Sequence, residues 1–317
     1  MEFGKPDDPA LVDWALPPDT ALTRLQLGQL AGAVPAGARH VYVGSTAWAT
    51  PELVGEYYPR GTRAGGFLAA YARQFNCIEL NTTYYRTPDR AQVLKWYAAT
   101  PDDFRFCPKV NKAITQAGDL ATSNSRALDF AKSVQHFEHK LGPCFAQLPA
   151  TFGSDRADTL RAFLDGWPPS VRLALELRHE SWFETETGRD VFAELKARGH
   201  GAVITDVGGR RDVAHMNVTG DYAMVRWVGT LHAASDEERL RVWAGRVRGW
   251  LASGLPEAYV FTHEPEPTAA ARAATHFAAA LRAATPEVPV RVRAPSPVTP
   301  RASANDGGGG HQAELFG

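Results

Sequence analysis

Residues 171–178 read VRLALELR, and the order of side chains in this stretch decides the fold. It is short, apolar and bounded by Pro169 upstream, so it reads as a strand. Side chains alternate across a strand, so Leu173, Leu175 and Leu177 share one face while Ala174, Glu176 and Arg178 share the other. The leucine face suits a covering layer of helices. The other face runs from small to charged toward the carboxyl end, as expected where a strand end contributes to a site.

Seven more stretches have this character: 40–45 (HVYVGS), 76–81 (NCIELN), 104–110 (FRFCPKV), 143–148 (PCFAQL), 201–206 (GAVITD), 221–227 (DYAMVRW) and 258–263 (AYVFTH). Helical periodicity fills most gaps, at 66–75, 90–99, 127–141, 156–164, 191–199, 237–253 and 269–284. Only the crossover from 206 to 221 reads as loop. Alternating strands and helices imply parallel pairing, and eight strands are the number that closes such a sheet, so the pattern predicts a single-domain α/β (β/α)8 TIM barrel over 38–288. A doubly wound open sheet is the alternative, but no GxGxxG follows the first strand. Residues 1–37 read as a loose arm with one short helix around Leu22–Leu30. Residues 289–317, rich in Pro and Ser with four consecutive glycines, read as a flexible tail ending in QAELFG.

The chain has 317 residues, enough for a barrel of roughly 250 residues with tails. A formal net charge of −1 argues against strong unaided binding to nucleic acid or acidic membrane. No secretory signal or membrane-spanning run is readable, so the expectation is a cytoplasmic protein. Cys77, Cys107 and Cys144 show no CxxC spacing and read as buried reduced thiols.

Almost every strand ends in a polar side chain. The same parity puts Cys77, Glu79 and Asn81 on one face of the second strand and Cys107 with Lys109 on one face of the third. Gln147, Asp206, Arg226 and His263 stand near the ends of the fourth, sixth, seventh and eighth. Two readings follow. Glu79, Glu176 and Asp206 against Lys109, Arg178 and Arg226 form a charge-balanced buried network with no further role. Alternatively, they form a site for an anionic or polyhydroxyl substrate, with Lys109, Arg178 and Arg226 neutralising charge and Glu79 or Glu176 acting as general acid or base. A glycosidase reading of the two carboxylates depends on their separation. His179 and His263 lack metal-ligand spacing, so no metal is expected, and no cofactor is indicated. Trp48, Tyr84 and Trp182 follow strands and suit the walls of a pocket.

At these residues the chain resembles the YecE-like family, which carries domain of unknown function seventy-two. The segments that carry the resemblance are VGSTAW (43–48), FNCIELNTTYYRTP (75–88), WYAATPDDFRFCPKVNKAIT (96–115), LGPCFAQLP (141–149) and LALELRHESWF (173–183). The resemblance implies a barrel and a pocket containing Glu79, Asn81, Tyr84, Lys109, Thr115, Gln147, Glu176, Arg178, His179 and Trp182; it implies no established reaction. This chain departs from the family pattern in two places: Trp227-Val228-Gly229 replaces the usual His-Gly after the seventh-strand arginine, and His263-Glu264 replaces paired asparagines after the eighth strand.

The tail ends QAELFG, similar to the short peptide with which bacterial polymerases and repair proteins bind the replication sliding clamp. Leu315 and Phe316 would fill an apolar pocket while the Gln312 amide fixes register. Taken together, the expectation is an enzyme on an anionic small-molecule or nucleic-acid substrate, tethered near DNA for repair by the clamp. The alternatives are a sugar or nucleotide enzyme with an incidental tail, or a ligand-binding module.

Overall fold

The computed structural model describes residues 4–285 and 290–292. Eight strands appear in the expected order: β1 His40–Gly44, β2 Cys77–Leu80, β3 Arg105–Pro108, β4 Cys144–Gln147, β5 Leu173–Glu176, β6 Gly201–Asp206, β7 Tyr222–Val228 and β8 Glu257–His263. The helices are α1 Ala21–Leu30, α2 Phe67–Gln74, α3 Thr82–Tyr85, α4 Arg90–Ala98, α5 Lys112–Thr115, α6 Asn124–Val134, α7 Ala157–Gly166, α8 Ser181–Glu184, α9 Glu186–Ala197, α10 Ala233–Ala252 and α11 Pro267–Ala284. The β6–β7 crossover carries only the 3₁₀ turn Arg211–Val213, matching its loop-like sequence. Expected helix 127–141 divides into α6 and a 3₁₀ segment, Gln135–Lys140. The four-residue helices α3, α5 and α8 follow strands and are too short to show a period in sequence. None of the helices described is long and apolar enough to cross a membrane.

All strand pairs are parallel. Six strands form a sheet in the order β1-β8-β7-β6-β5-β4, and β2 pairs with β3 in a second, two-stranded sheet. The two sheets meet at both edges. On one side Glu79 N donates to Ser45 O at 3.1 Å, and on the other Val110 N donates to Phe145 O at 2.8 Å. Asn76 completes the first junction with its side chain: Oδ1 accepts from Val43 N at 2.7 Å and Nδ2 donates to Val41 O at 2.8 Å. An asparagine amide here supplies the donor and acceptor that a neighbouring strand would otherwise offer.

Two apolar layers follow from strand parity. Leu173, Leu175 and Leu177 join the large cluster under the helices. Ala174, Cys77 and Cys107 join a separate inner cluster with Tyr42, Phe145, Val203, Met224 and Phe261, so every strand contributes to it. The three cysteines are buried free thiols.

The amino-terminal arm differs from its loose expectation. Gly209 N donates to Gly4 O at 2.7 Å, Arg246 pairs with Asp19 at 2.7 Å, and Thr20 Oγ1 bonds Asn217 at 2.8 Å. Trp14 lies 3.8 Å from the Arg239 guanidinium. Prolines and one tryptophan limit the entropy lost when this stretch docks, so the part before α1 packs with only the 3₁₀ turn Pro9–Leu11 as regular structure. The tail residues Gln312, Leu315 and Phe316 lie outside the described residues.

Replacing Asn76 with alanine leaves two buried strand groups without partners. Urea unfolding of Asn76→Ala is expected to show a loss of roughly 2–4 kcal/mol with the fold retained.

Candidate functional site

The strand ends converge on one arginine. Arg226, on the inward parity of β7 with Tyr222 and Met224, places Nε 2.9 Å from Glu79 Oε2 and Nη2 3.0 Å from Glu79 Oε1. Its Nη1 lies 2.6 Å from Glu176 Oε2. All three side chains are fully buried. Glu176 also accepts from Gln147 Nε2 at 2.9 Å and from Arg178 Nε at 2.8 Å. Glu79 also accepts from Asn81 Nδ2 at 3.0 Å and meets His263 Nε2 at 2.9 Å. Gln147 Oε1 in turn accepts from Lys109 Nζ at 3.0 Å, and the Tyr84 ring covers that ammonium at 4.4 Å. Residues from β2, β4, β5, β7, β8 and the segment after β3 therefore share one hydrogen-bonded network.

Its electrostatics divide the acids from the base. Burial alone would raise the Glu79 carboxyl, but Arg226, aided by His263, holds it well below the usual carboxylate range. Burial likewise opposes Glu176, which Arg178, Arg226 and Lys109 hold at about 2. A carboxylate this acidic is a poor proton acceptor near neutral pH. In this network both are held as anions that orient arginines and an amide. Lys109 moves the other way. Burial, reinforced by repulsion from Arg226, pushes it down to about 8 against the pull of the two glutamates. Burial also lowers His263 despite its contact with Glu79.

Several expected site residues serve elsewhere. Asp206 has the outward parity of β6 and forms a second buried network, accepting from Arg239 Nη2 at 3.0 Å and Trp243 Nε1 at 2.8 Å and pairing with Arg211. Trp182 is fully buried, stacked on Phe152, and its Nε1 donates to Phe152 O. Trp48 packs edge-on against Trp96 in the outer layer. Thr115 is buried in α5, its hydroxyl directed to Asn111 O. His179 Nδ1 meets Ser181 Oγ at 2.8 Å at the start of α8. None of these contacts joins Asp206, Trp182, Trp48, Thr115 or His179 to the Arg226 network.

Glu264 is marked in sequence only as a departure from the family pattern and not as a site residue. Its carboxyl occupies the space where a Cβ on Gly229 would stand, within 2.0 Å, so a larger residue there would displace the Glu264 carboxyl. Burial, with Asp236 adding repulsion, raises Glu264 to about 7, and its Oε2 is buried with no hydrogen-bond partner among the described residues. It lines a cavity of about 290 Å³ together with His263, Val228, Gly229 and the arm residues Lys5, Pro6 and Pro9. The departure of His263-Glu264 from the family pattern was the signal in sequence. Among the described residues, no group of three or more His, Cys, Asp or Glu side chains could hold a metal ion.

A mixed α/β protein with parallel strands and a buried ionic network at their carboxyl ends is the class that fold and site define. The chain belongs to the family described as protein of unknown function DUF72, whose model matches residues 42–300. It is 30% identical over 249 residues to the UPF0759 protein YecE of Escherichia coli strain K12, covering 71% of this chain and 87% of that one. UPF0759 protein YunF of Bacillus subtilis strain 168 is 27% identical over 169 residues, covering 50% of this chain and 58% of the relative. A crystal structure of a DUF72 family protein from Enterococcus faecalis superposes with a TM-score of 0.62 at 20% identity, covering 77% of this chain and 98% of that one. That likeness concerns the fold.

A buried lysine held near 8 opposes folding. The unfolded chain binds its proton up to about 10.5, so Lys109 costs most below pH 8, and the cost fades as pH rises from 8 to 10.5. Lys109→Met is expected to gain up to roughly 3 kcal/mol at pH 7, with the gain vanishing above about pH 10.5, measured by denaturant titration across pH.

Proposed function

We propose that the eight strands close into a (β/α)8 barrel and that the chain is an enzyme acting on an anionic, phosphate-bearing substrate at their carboxyl ends. Closure is supported by the inner cluster drawn from every strand and by the backbone bonds joining the two sheets at both edges. One observation carries the substrate class. Lys109 is buried, its ammonium donates to a single protein acceptor, Gln147 Oε1, and no carboxylate lies within 4 Å of it among the described residues. Lys109, Arg178 and Arg226 stand against Glu79 and Glu176, an excess of one positive charge. A phosphate would take the unused ammonium donors and balance that charge. Glu79 and Glu176 anchor the cations, Gln147 and Asn81 orient, and Lys109 exchanges the proton in acid–base chemistry of hydrolase or lyase type.

The test is calorimetric binding of inorganic phosphate and a sugar phosphate to wild type and Lys109→Met. Kd is expected to rise about tenfold or more in the variant, the worth of one charge-assisted hydrogen bond. Wild-type affinity should fall as pH rises through about 8, where Lys109 loses its charge. Equal affinity in both proteins at pH 7 would remove the reading.

The sequence QAELF at 312–316, behind four glycines, supports a second element: recruitment to a replication sliding clamp through Gln312, Leu315 and Phe316. Tethering raises local concentration on DNA without a basic surface. Immobilised clamp is expected to retain the full chain and to lose it when residues 307–317 are removed. Equal retention, or none from the full chain, would leave an enzyme of sugar or nucleotide metabolism with an incidental tail.

A further inference from the structure

The cavity beside Glu264 is distinct from the Lys109 corner of the network yet shares His263 with it. Its walls come from three places: Val207 and Gly208 after β6, Val228 and Gly229 at the end of β7, and His263 and Glu264 at the end of β8. The fourth wall is the arm, with Lys5, Pro6 and Pro9. These arm residues precede the stretch matched by the family model, which begins at residue 42.

The polar side chains that line it are Glu264, His263, Thr230 and Lys5, and the first two offer acceptors. Glu79 is ionised and can only accept, so His263 carries its proton on Nε2 and leaves the Nδ1 lone pair without a partner among the described residues. Glu264 Oε2 is buried and has no hydrogen-bond partner among the described residues. The apolar walls are three prolines, Pro6, Pro9 and Pro265, and two valines, Val207 and Val228. Two acceptors at one end and C–H surfaces around them suit a ligand with several hydroxyl donors and an apolar ring face. The volume, about 290 Å³, is at the low end for ligand pockets and admits one ring. Lys5 and Glu264 are of opposite sign, so the lining carries no excess of one charge that would select an ionic ligand.

We propose that this cavity binds an uncharged, hydroxyl-bearing ring of monosaccharide size, held by Glu264 and His263 and closed on its open side by Lys5 of the amino-terminal arm. The inference rests on the anionic-substrate reading only in assigning the ring and the phosphate to one molecule. The arm supplies a wall that the family match does not include, so it sets selectivity particular to this chain.

The experiment is calorimetric titration of the full chain with ribose, xylose, glucose and galactose, alongside inorganic phosphate. The variants are Glu264→Leu, which removes the acceptor, Val228→Phe, which fills the cavity and leaves Glu264 intact, and Lys5→Ala. At least one sugar is expected to bind wild type, about tenfold or more weakly to Glu264→Leu, and not measurably to Val228→Phe. Lys5→Ala should weaken it severalfold. Should Glu264→Leu fail to fold, Val228→Phe decides alone. A wild-type protein that binds phosphate but none of the sugars overturns this inference and leaves the anion site standing; one that binds sugar but no phosphate does the reverse. Unchanged sugar affinity in folded Glu264→Leu or Val228→Phe also overturns it.

Discussion

One guanidinium holds the centre of this protein together. Arg226 reaches from β7 to a carboxylate on β2 and to another on β5, with bonds of 2.6 to 3.0 Å. Taking these ions out of water costs several kcal/mol each, and only near-ideal geometry offsets it. Arginine suits the task because its planar fork can face both oxygens of Glu79 and still donate to Glu176, which a lysine could not do. The two carboxylates then dictate the rest. The Gln147 amide must turn its NH2 toward Glu176, so its oxygen faces Lys109; His263 must carry its proton toward Glu79.

Such a network is a poor way to gain stability, since leucine would fill the same space without desolvating a charge. What it provides is order. The pattern turns two acids into fixed anions and sets beside them Lys109, which burial pushes down to about 8. Groups of this kind, poised by burial next to specific partners, are typical of sites that bind or move charge. The charge-balanced and the functional readings of these residues are therefore not opposites: the balanced pairs are the frame in which an unbalanced lysine is displayed.

A second network keeps the arm in place. Asp206 and Arg239 are buried between β6 and α10, Arg239 also bonds Asp236 and Val228 O, and Trp14 lies over the Arg239 face. Gly208 permits the contact, because a Cβ there would strike Pro6 and Trp14. The arm is thereby fastened to the loops after β6 and β7, at the same end of the strands as the ionic site.

The sequence alone determined the strand and helix order, because periods of two and near 3.6 are written locally and survive without knowledge of neighbours. Parity along VRLALELR placed the leucines under the helices and Glu176 inward, and the same counting grouped Glu79 and Lys109 with their strand faces, while Gln147, Arg226 and His263 were marked only by lying near strand ends. Parity also held the answer for Asp206, one step out of phase with Val203 on β6, but reading it required knowing which face of β6 is inward. Only the tertiary structure decided which charges pair, because Arg226 meets Glu79 across 147 positions of chain. It alone decided the acidity of each group, which depends on burial and on partners distant in sequence. The docking of the arm and the seat of Glu264 against Gly229 were likewise invisible, since both arise from loops meeting in space, where no period marks the contact.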